Sequence, residues 1–148
     1  MKKILMLTGA LFLCANTASA EQSISLNLQF IKFKQLEGEM HFQLLDCDNT
    51  DMEWSELPVL ITQQIPVSQQ LITNSLSGLT AGKYCVRFFQ DLNANGELDL
   101  AANSIPKEPV GFSNNPNLMF GQPSPEDSMF ELGENSEMKI KVNNKKRR

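Results

Sequence analysis

The chain has one histidine, one tryptophan, one tyrosine and three cysteines among 148 residues. With His41 alone there is no imidazole cluster for a transition-metal centre, and no Gly-x-Ser-x-Gly pattern lies near it to form a hydrolase dyad. Basic charge is also short. Lys and Arg number 13 against 17 Asp and Glu, a net charge of −4, which argues against a nucleic-acid partner needing a basic face. Past position 20 there is no apolar run long enough to cross a bilayer as a helix, no helix-period segment and no internal repeat. What remains is short apolar alternation, punctuated by Pro, Gly and Asn.

The first twenty residues read as a leader. Lys2 and Lys3 form a positive start, Ile4–Ala15 an apolar stretch, and Ala18-Ser19-Ala20 a small-residue cleavage site. Residues 1–20 are therefore expected to be a signal peptide, with the mature chain starting at Glu21 in the periplasm or outside the cell. Cys14 does not read as a lipid-anchor cysteine, because Leu13 precedes it where a small residue is expected. Losing Lys2 and Lys3 and no acid takes the charge from −4 to −6. Two cysteines then remain, Cys47 and Cys85, either as buried thiols or as a bridge. Export to an oxidising compartment favours the bridge.

Residues 21–142 have the length of a single domain. Ile24, Leu26, Leu28 and Phe30 alternate with polar neighbours, as do Met40, Phe42 and Leu44, so both stretches predict half-buried strands. His41 falls on the polar parity of the second and is expected to be solvated. Trp54, isolated in an acidic irregular stretch, is expected to cap one end of the core. Pro58–Val67 suits an edge strand, because proline cannot donate in a ladder. Gln69–Leu79 predicts another strand. Lys83–Gln90 predicts the clearest of all, with Tyr84, Val86 and Phe88 inward. Leu100–Asp127 holds five prolines. Ile105, Val110, Phe112, Met119 and Phe120 within it predict an ordered, packed loop rather than a disordered one. Met129–Leu132 and Met138–Val142 predict closing strands, and residues 143–148 a basic flexible tail. Many short strands with regular turns read as a sandwich or barrel.

The stretch after the strongest strand carries the chemistry. Asp91, Asn93 and Asn95 place oxygens at every second position, Gly96 follows at the sharp turn, and Asp99 lies at the ninth position. A hard cation such as Ca²⁺ takes six to eight oxygens from such a wrap. Glu97 is expected to contribute its carbonyl. Ala102 stands where an EF-hand has its bidentate Glu, and Glu108 is the candidate replacement. With two carboxylates and two amides, the set suits the weak sites of calcium-rich extracellular space. The alternative is a hairpin turn, since Asn-Gly and Asx-turns use the same residues.

Leu79-Thr-Ala-Gly-Lys-Tyr84, the 91–99 loop, Ile105-Pro-Lys-Glu108, Gly111-Phe-Ser-Asn-Asn115 and Gly121-Gln-Pro-Ser124 occur in that order. This string resembles a family of secreted bacterial proteins catalogued as domain of unknown function two-one-four-one, from the Gly38 strand to about Val142. The Leu-x-x-Gly-x-Tyr opening is also similar to transthyretin-like and collagen-adhesin B-type modules. The resemblance implies an all-β, immunoglobulin-like (transthyretin-like) antiparallel β-sandwich with a long ordered loop, and it implies export. It implies no activity. In that layout the strands ending at Asp46 and starting at Lys83 lie side by side, so Cys47 and Cys85 are implied to meet.

These readings converge on an exported, non-enzymatic, monomeric binding or accessory module with a calcium-type loop. Its partner is expected to be an envelope protein or a carbohydrate, with no nucleic acid and no transmembrane segment. The alternatives are a ligand-free structural envelope domain and a hydrolase using loop carboxylates such as Asp99 and Glu108.

Overall fold

The structure, a computed structural model, describes residues 22–144. The expected signal peptide, the expected start at Glu21 and the basic residues 145–148 lie outside them. The alternating sequences form strands as their parity requires: β1 (Ile24–Ile31), β2 (Glu39–Asp46), β3 (Val59–Pro66), β4 (Leu71–Leu79) and β5 (Gly82–Asp91). Three shorter strands follow, β6 (Val110–Phe112), β7 (Phe130–Leu132) and β8 (Ser136–Lys141). Where the sequence predicts no helix there is one four-residue turn of helix, α1 (Pro125–Ser128), with a Ser124–Asp127 capping box.

The strands make two sheets. One runs β4-β1-β8, with β1 antiparallel to β4 and parallel to β8. The other runs β3-β2-β5-β6, all antiparallel, and β7 pairs with the start of β5 beside β6. The expected edge strand with Pro66 is at an edge of this sheet. Leu26, Leu28 and Phe30 of one sheet meet Met40, Phe42, Leu44, Val86 and Phe88 of the other in a dry core. Phe30 packs edge-on against Phe88 at 5.1 Å between ring centroids. A β-sandwich is the result, as expected.

A second apolar cluster lies on the outer face of the larger sheet, and the sequence reading missed it. Trp54 does not cap the main core. It is buried in this second cluster with Leu45, Leu57, Val110, Phe112 and the cysteines. Its indole nitrogen donates to the Pro123 carbonyl at 2.7 Å, and the Arg87 guanidinium lies 5.5 Å from its ring. Cys47, just past the end of β2, and Cys85 of β5, opposite Leu45 in the β2–β5 register, form a disulfide in this outer cluster.

The 100–127 segment is ordered but not packed throughout. Val110 and Phe112 are buried, whereas Met119 is 68% and Phe120 93% exposed, against the expectation for both. At the other boundary, ordered structure continues past residue 142. Asn143 exchanges backbone bonds with Val110, and Asn144 donates its side-chain amide to the Lys32 carbonyl.

Candidate functional site

The 91–99 loop leaves the end of β5 against a close backbone neighbour. Gly38, at φ +71°, lies so near the Asp91 carbonyl that an added Cβ would collide with it. Only glycine meets both demands. Gln90, fully buried, ties the same turn down by donating to the carbonyls of Gln35 and Glu37, each at 2.8 Å.

Asp91 organises the loop from its first position. Its Oδ1 accepts the amides of Asn93 (3.2 Å) and Ala94 (2.8 Å), and its Oδ2 accepts the amide of Gly96 (2.8 Å). Asp91 is 3% exposed. Burial pushes its carboxyl up, but the amides of Gly96, Ala94, Asn93 and Asn95 outweigh that and hold it below the ordinary carboxylate value. Asn93 Oδ1 then accepts from the Asn95 amide, and Asn95 Oδ1 from the Glu97 amide. Ala94 and Gly96 take positive φ to allow this winding. Asp99 closes the ring: Asn93 Nδ2 donates to its Oδ2, and Asn95 Nδ2 donates to its Oδ1 at 3.2 Å.

Glu108 reaches the loop from its far side. Lys107 donates to the Asp99 carbonyl and Ala101 to the Ile105 carbonyl, folding 99–107 back on itself. Glu108, buried, then accepts Leu92 N through Oε1 (2.9 Å) and Asp99 N through Oε2 (3.1 Å). It clasps the two ends of the loop by their backbone.

The six sequence-predicted residues are therefore gathered in one place, Asp91, Asn93, Asn95 and Asp99 by side chain, Glu97 by backbone and Glu108 as the clasp. Whether they fit a cation turns on the donor set. Among the described residues no three His, Cys, Asp or Glu side chains group as a metal centre. The loop instead offers two carboxylates supplemented by two neutral amides. Rotating the Asn93 and Asn95 amides would present their oxygens beside Asp99 and give up two Asx-turn bonds, about 0.5–1.5 kcal/mol each. A donor set of this kind, with few charges and several neutral oxygens, suits a hard cation only weakly.

His41 departs from its expected solvated position. Its ring stacks on Phe89 at 4.9 Å, and its Nε2, buried without a hydrogen-bond partner, is 3.7 Å from Asp91 Oδ2 and 3.8 Å from Glu39 Oε2. The β2–β5 register places His41 opposite Phe89, two residues before Asp91. That register is the one signal from which this contact could have been foreseen.

The sequence reading also missed a hollow of about 610 Å³ beside the loop. Leu98, Leu100, Ile105, Val110 and Phe112 line it, with Glu108 at its polar side and Met119 and Phe120 among its walls. Its volume is within the roughly 300–1,000 Å³ of small-ligand sites.

The remaining motif residues are structural. Gly111 packs under the Phe88 ring, and Ser113 continues the β5–β6 pairing by accepting Val86 N and donating to the Ser128 carbonyl. Asn115 docks on β8, accepting Lys141 N at 2.6 Å and donating to the Lys139 carbonyl at 2.9 Å.

Fold and site together define a two-sheet β-sandwich with an Asx-wound loop at the end of its central strand. Over residues 29–141 the chain matches the family described as "Uncharacterized protein conserved in bacteria (DUF2141)", and it belongs to that family. Comparison with curated proteins and with solved structures gives no match.

Proposed function

We propose that the protein is an exported, non-enzymatic β-sandwich module that binds Ca²⁺ weakly through the 91–99 loop and presents the adjoining hollow to an envelope protein or carbohydrate. The observation that carries this reading is the convergence of Asp91, Asn93, Asn95 and Asp99 on one loop whose ends Glu108 holds. Asp99 would supply the charged ligand with most freedom, because Asp91 already serves three backbone amides. The cation would stiffen the wall that carries Leu98 and Glu108. Export is supported by the leader-like residues 1–20 and by the Cys47–Cys85 bridge. The finer immunoglobulin-like reading is supported by Tyr84 near the start of β5, whose hydroxyl donates to the Thr80 carbonyl at 2.8 Å in the manner of a tyrosine corner.

A second reading has its own observation. The loop is already fully wound by its own hydrogen bonds, as a ligand-free Asx-turn would be. Thermal melting separates the two. Native-state binding adds RT ln(1 + [L]/Kd), roughly 2.7 kcal/mol at one hundred times Kd. The calcium reading expects the melting temperature to rise with millimolar Ca²⁺ in the natural sequence and not in Asp99→Ala. The ligand-free reading expects neither to move.

A further inference from the structure

Leu118-Met119-Phe120 presents two consecutive large apolar side chains to solvent, Met119 at 68% and Phe120 at 93% exposure. Folding does not account for such a pair, and exposed apolar groups of this kind mark interaction surfaces. Leu118, Phe112 and Asn143 line the 610 Å³ hollow and also a second hollow, of about 410 Å³. Lys32, Lys34 and Lys141 stand around the second one. The ion-pair contacts among the described residues all involve His41, so these three ammonium groups are unpaired there.

The lysines stand on a fixed frame. Lys32 is held at φ +74° with its amide on the Gln70 carbonyl and its own carbonyl under the Asn144 amide. Lys141 is on the strand that Asn115 pins. A chain of net charge −4 therefore sets Lys32, Lys34 and Lys141 around a hollow that shares Phe112, Leu118 and Asn143 with the one that Met119 and Phe120 line.

We infer that this end of the sandwich docks on an anionic lipid bilayer, with Met119 and Phe120 entering the interface and the lysines meeting headgroup phosphates. Shallow apolar insertion and basic side chains reinforce each other at such a surface, and neither alone gives stable attachment. A soluble polyanion would engage the lysines and leave Met119 and Phe120 in water, so it explains only half of the surface. The protein's net negative charge does not oppose docking at distance, because fields are screened beyond about 8 Å at physiological ionic strength.

Co-sedimentation tests this with the protein purified from cells, in chelator, so that the outcome is independent of the calcium loop. Vesicles of phosphatidylcholine with one-quarter phosphatidylglycerol should bind it, and pure phosphatidylcholine vesicles should bind far less. Raising salt should weaken the binding. The double substitution Met119→Ser with Phe120→Ser should lower the affinity about tenfold or more. The triple change Lys32→Gln, Lys34→Gln and Lys141→Gln should lower it and flatten its salt dependence. Far-ultraviolet dichroism confirms that each variant folds. As a direct depth check, Phe120→Trp fluorescence should be quenched by brominated acyl chains. Equal binding to both vesicle types overturns the inference. So does binding to a soluble polyanion such as alginate without binding to vesicles, or an unquenched Phe120→Trp on bound protein.

Discussion

Glu108 accepts the backbone amide of Asp99 at 3.1 Å through one oxygen while the other takes the amide of Leu92 at 2.9 Å. One carboxylate thus spans the base of the 91–99 loop from a position sixteen residues downstream of Leu92. Glu108→Ala leaves both part-buried amides without their acceptor, and losing such hydrogen bonds costs about 0.5–1.5 kcal/mol each. Urea denaturation should show a loss of that order. A loss under about 0.5 kcal/mol, the range of ordinary surface substitutions, would show that the clasp is dispensable.

Asp91 predicts an acid-sensitive contribution to stability. Its folded carboxyl lies below the ordinary value, because backbone amides outweigh burial. The ionised form is therefore favoured by folding. That stability is fully present above the unfolded value near 3.9 and is lost as pH falls through the depressed folded value. Denaturation between pH 7 and pH 2 should show the natural sequence converging on Asp91→Asn at the acid end. A difference that stays constant with pH would contradict this assignment.

The Cys47–Cys85 bridge closes a sequence separation of 38 residues. In the chain-entropy model such a loop is worth about 3–4 kcal/mol. The double variant Cys47→Ala with Cys85→Ala should lose a comparable amount and loosen Trp54, which shares the outer cluster. Non-reducing peptide mapping of protein purified without reductant should link the two cysteine peptides. Two alkylatable thiols would contradict the bridge.

Gly38 and Gly78 make a matched pair. Both take positive φ, +71° and +79°, but only at Gly38 does a Cβ meet the Asp91 carbonyl, while Gly78 has open space. Gly78→Ala should lose only the conformational term, about 1 kcal/mol. Gly38→Ala should lose clearly more and disturb the loop. Equal losses would mean that the close approach to Asp91 yields without strain.

The strands were legible because a period of two is imposed by the pleat itself: Leu26, Leu28 and Phe30 have to face one way. That a wound loop follows β5 was legible because Asp91, Asn93, Asn95 and Gly96 fall at offsets that Asx-turns and calcium loops share, so the sequence marks the winding but not its occupant. The outer cluster was not, since Trp54, Val110 and Phe112 come from irregular or very short segments with no period. Met119 and Phe120 misled for the reason that hydrophobic residues usually pack, and nothing local in Leu118-Met119-Phe120 distinguishes an exposed tip from a buried one. His41 was misplaced because parity assigns a face and not its contents. The outer face of β2 and β5 is itself partly covered, by Phe89 and the Asp91 carboxylate.

The measurement that bears most directly on the proposed function is isothermal titration calorimetry of Ca²⁺ into the protein, with Mg²⁺ and the Asp99→Ala variant as controls. The account predicts one weak site, saturating in the range of roughly 0.1–1 mM that extracellular modules show. Mg²⁺ should compete poorly, and Asp99→Ala should abolish the heat while circular dichroism stays unchanged. If millimolar Ca²⁺ gives no heat, or if Asp99→Ala binds as well as the natural sequence, the 91–99 loop is an Asx-wound hairpin turn and the calcium assignment is wrong.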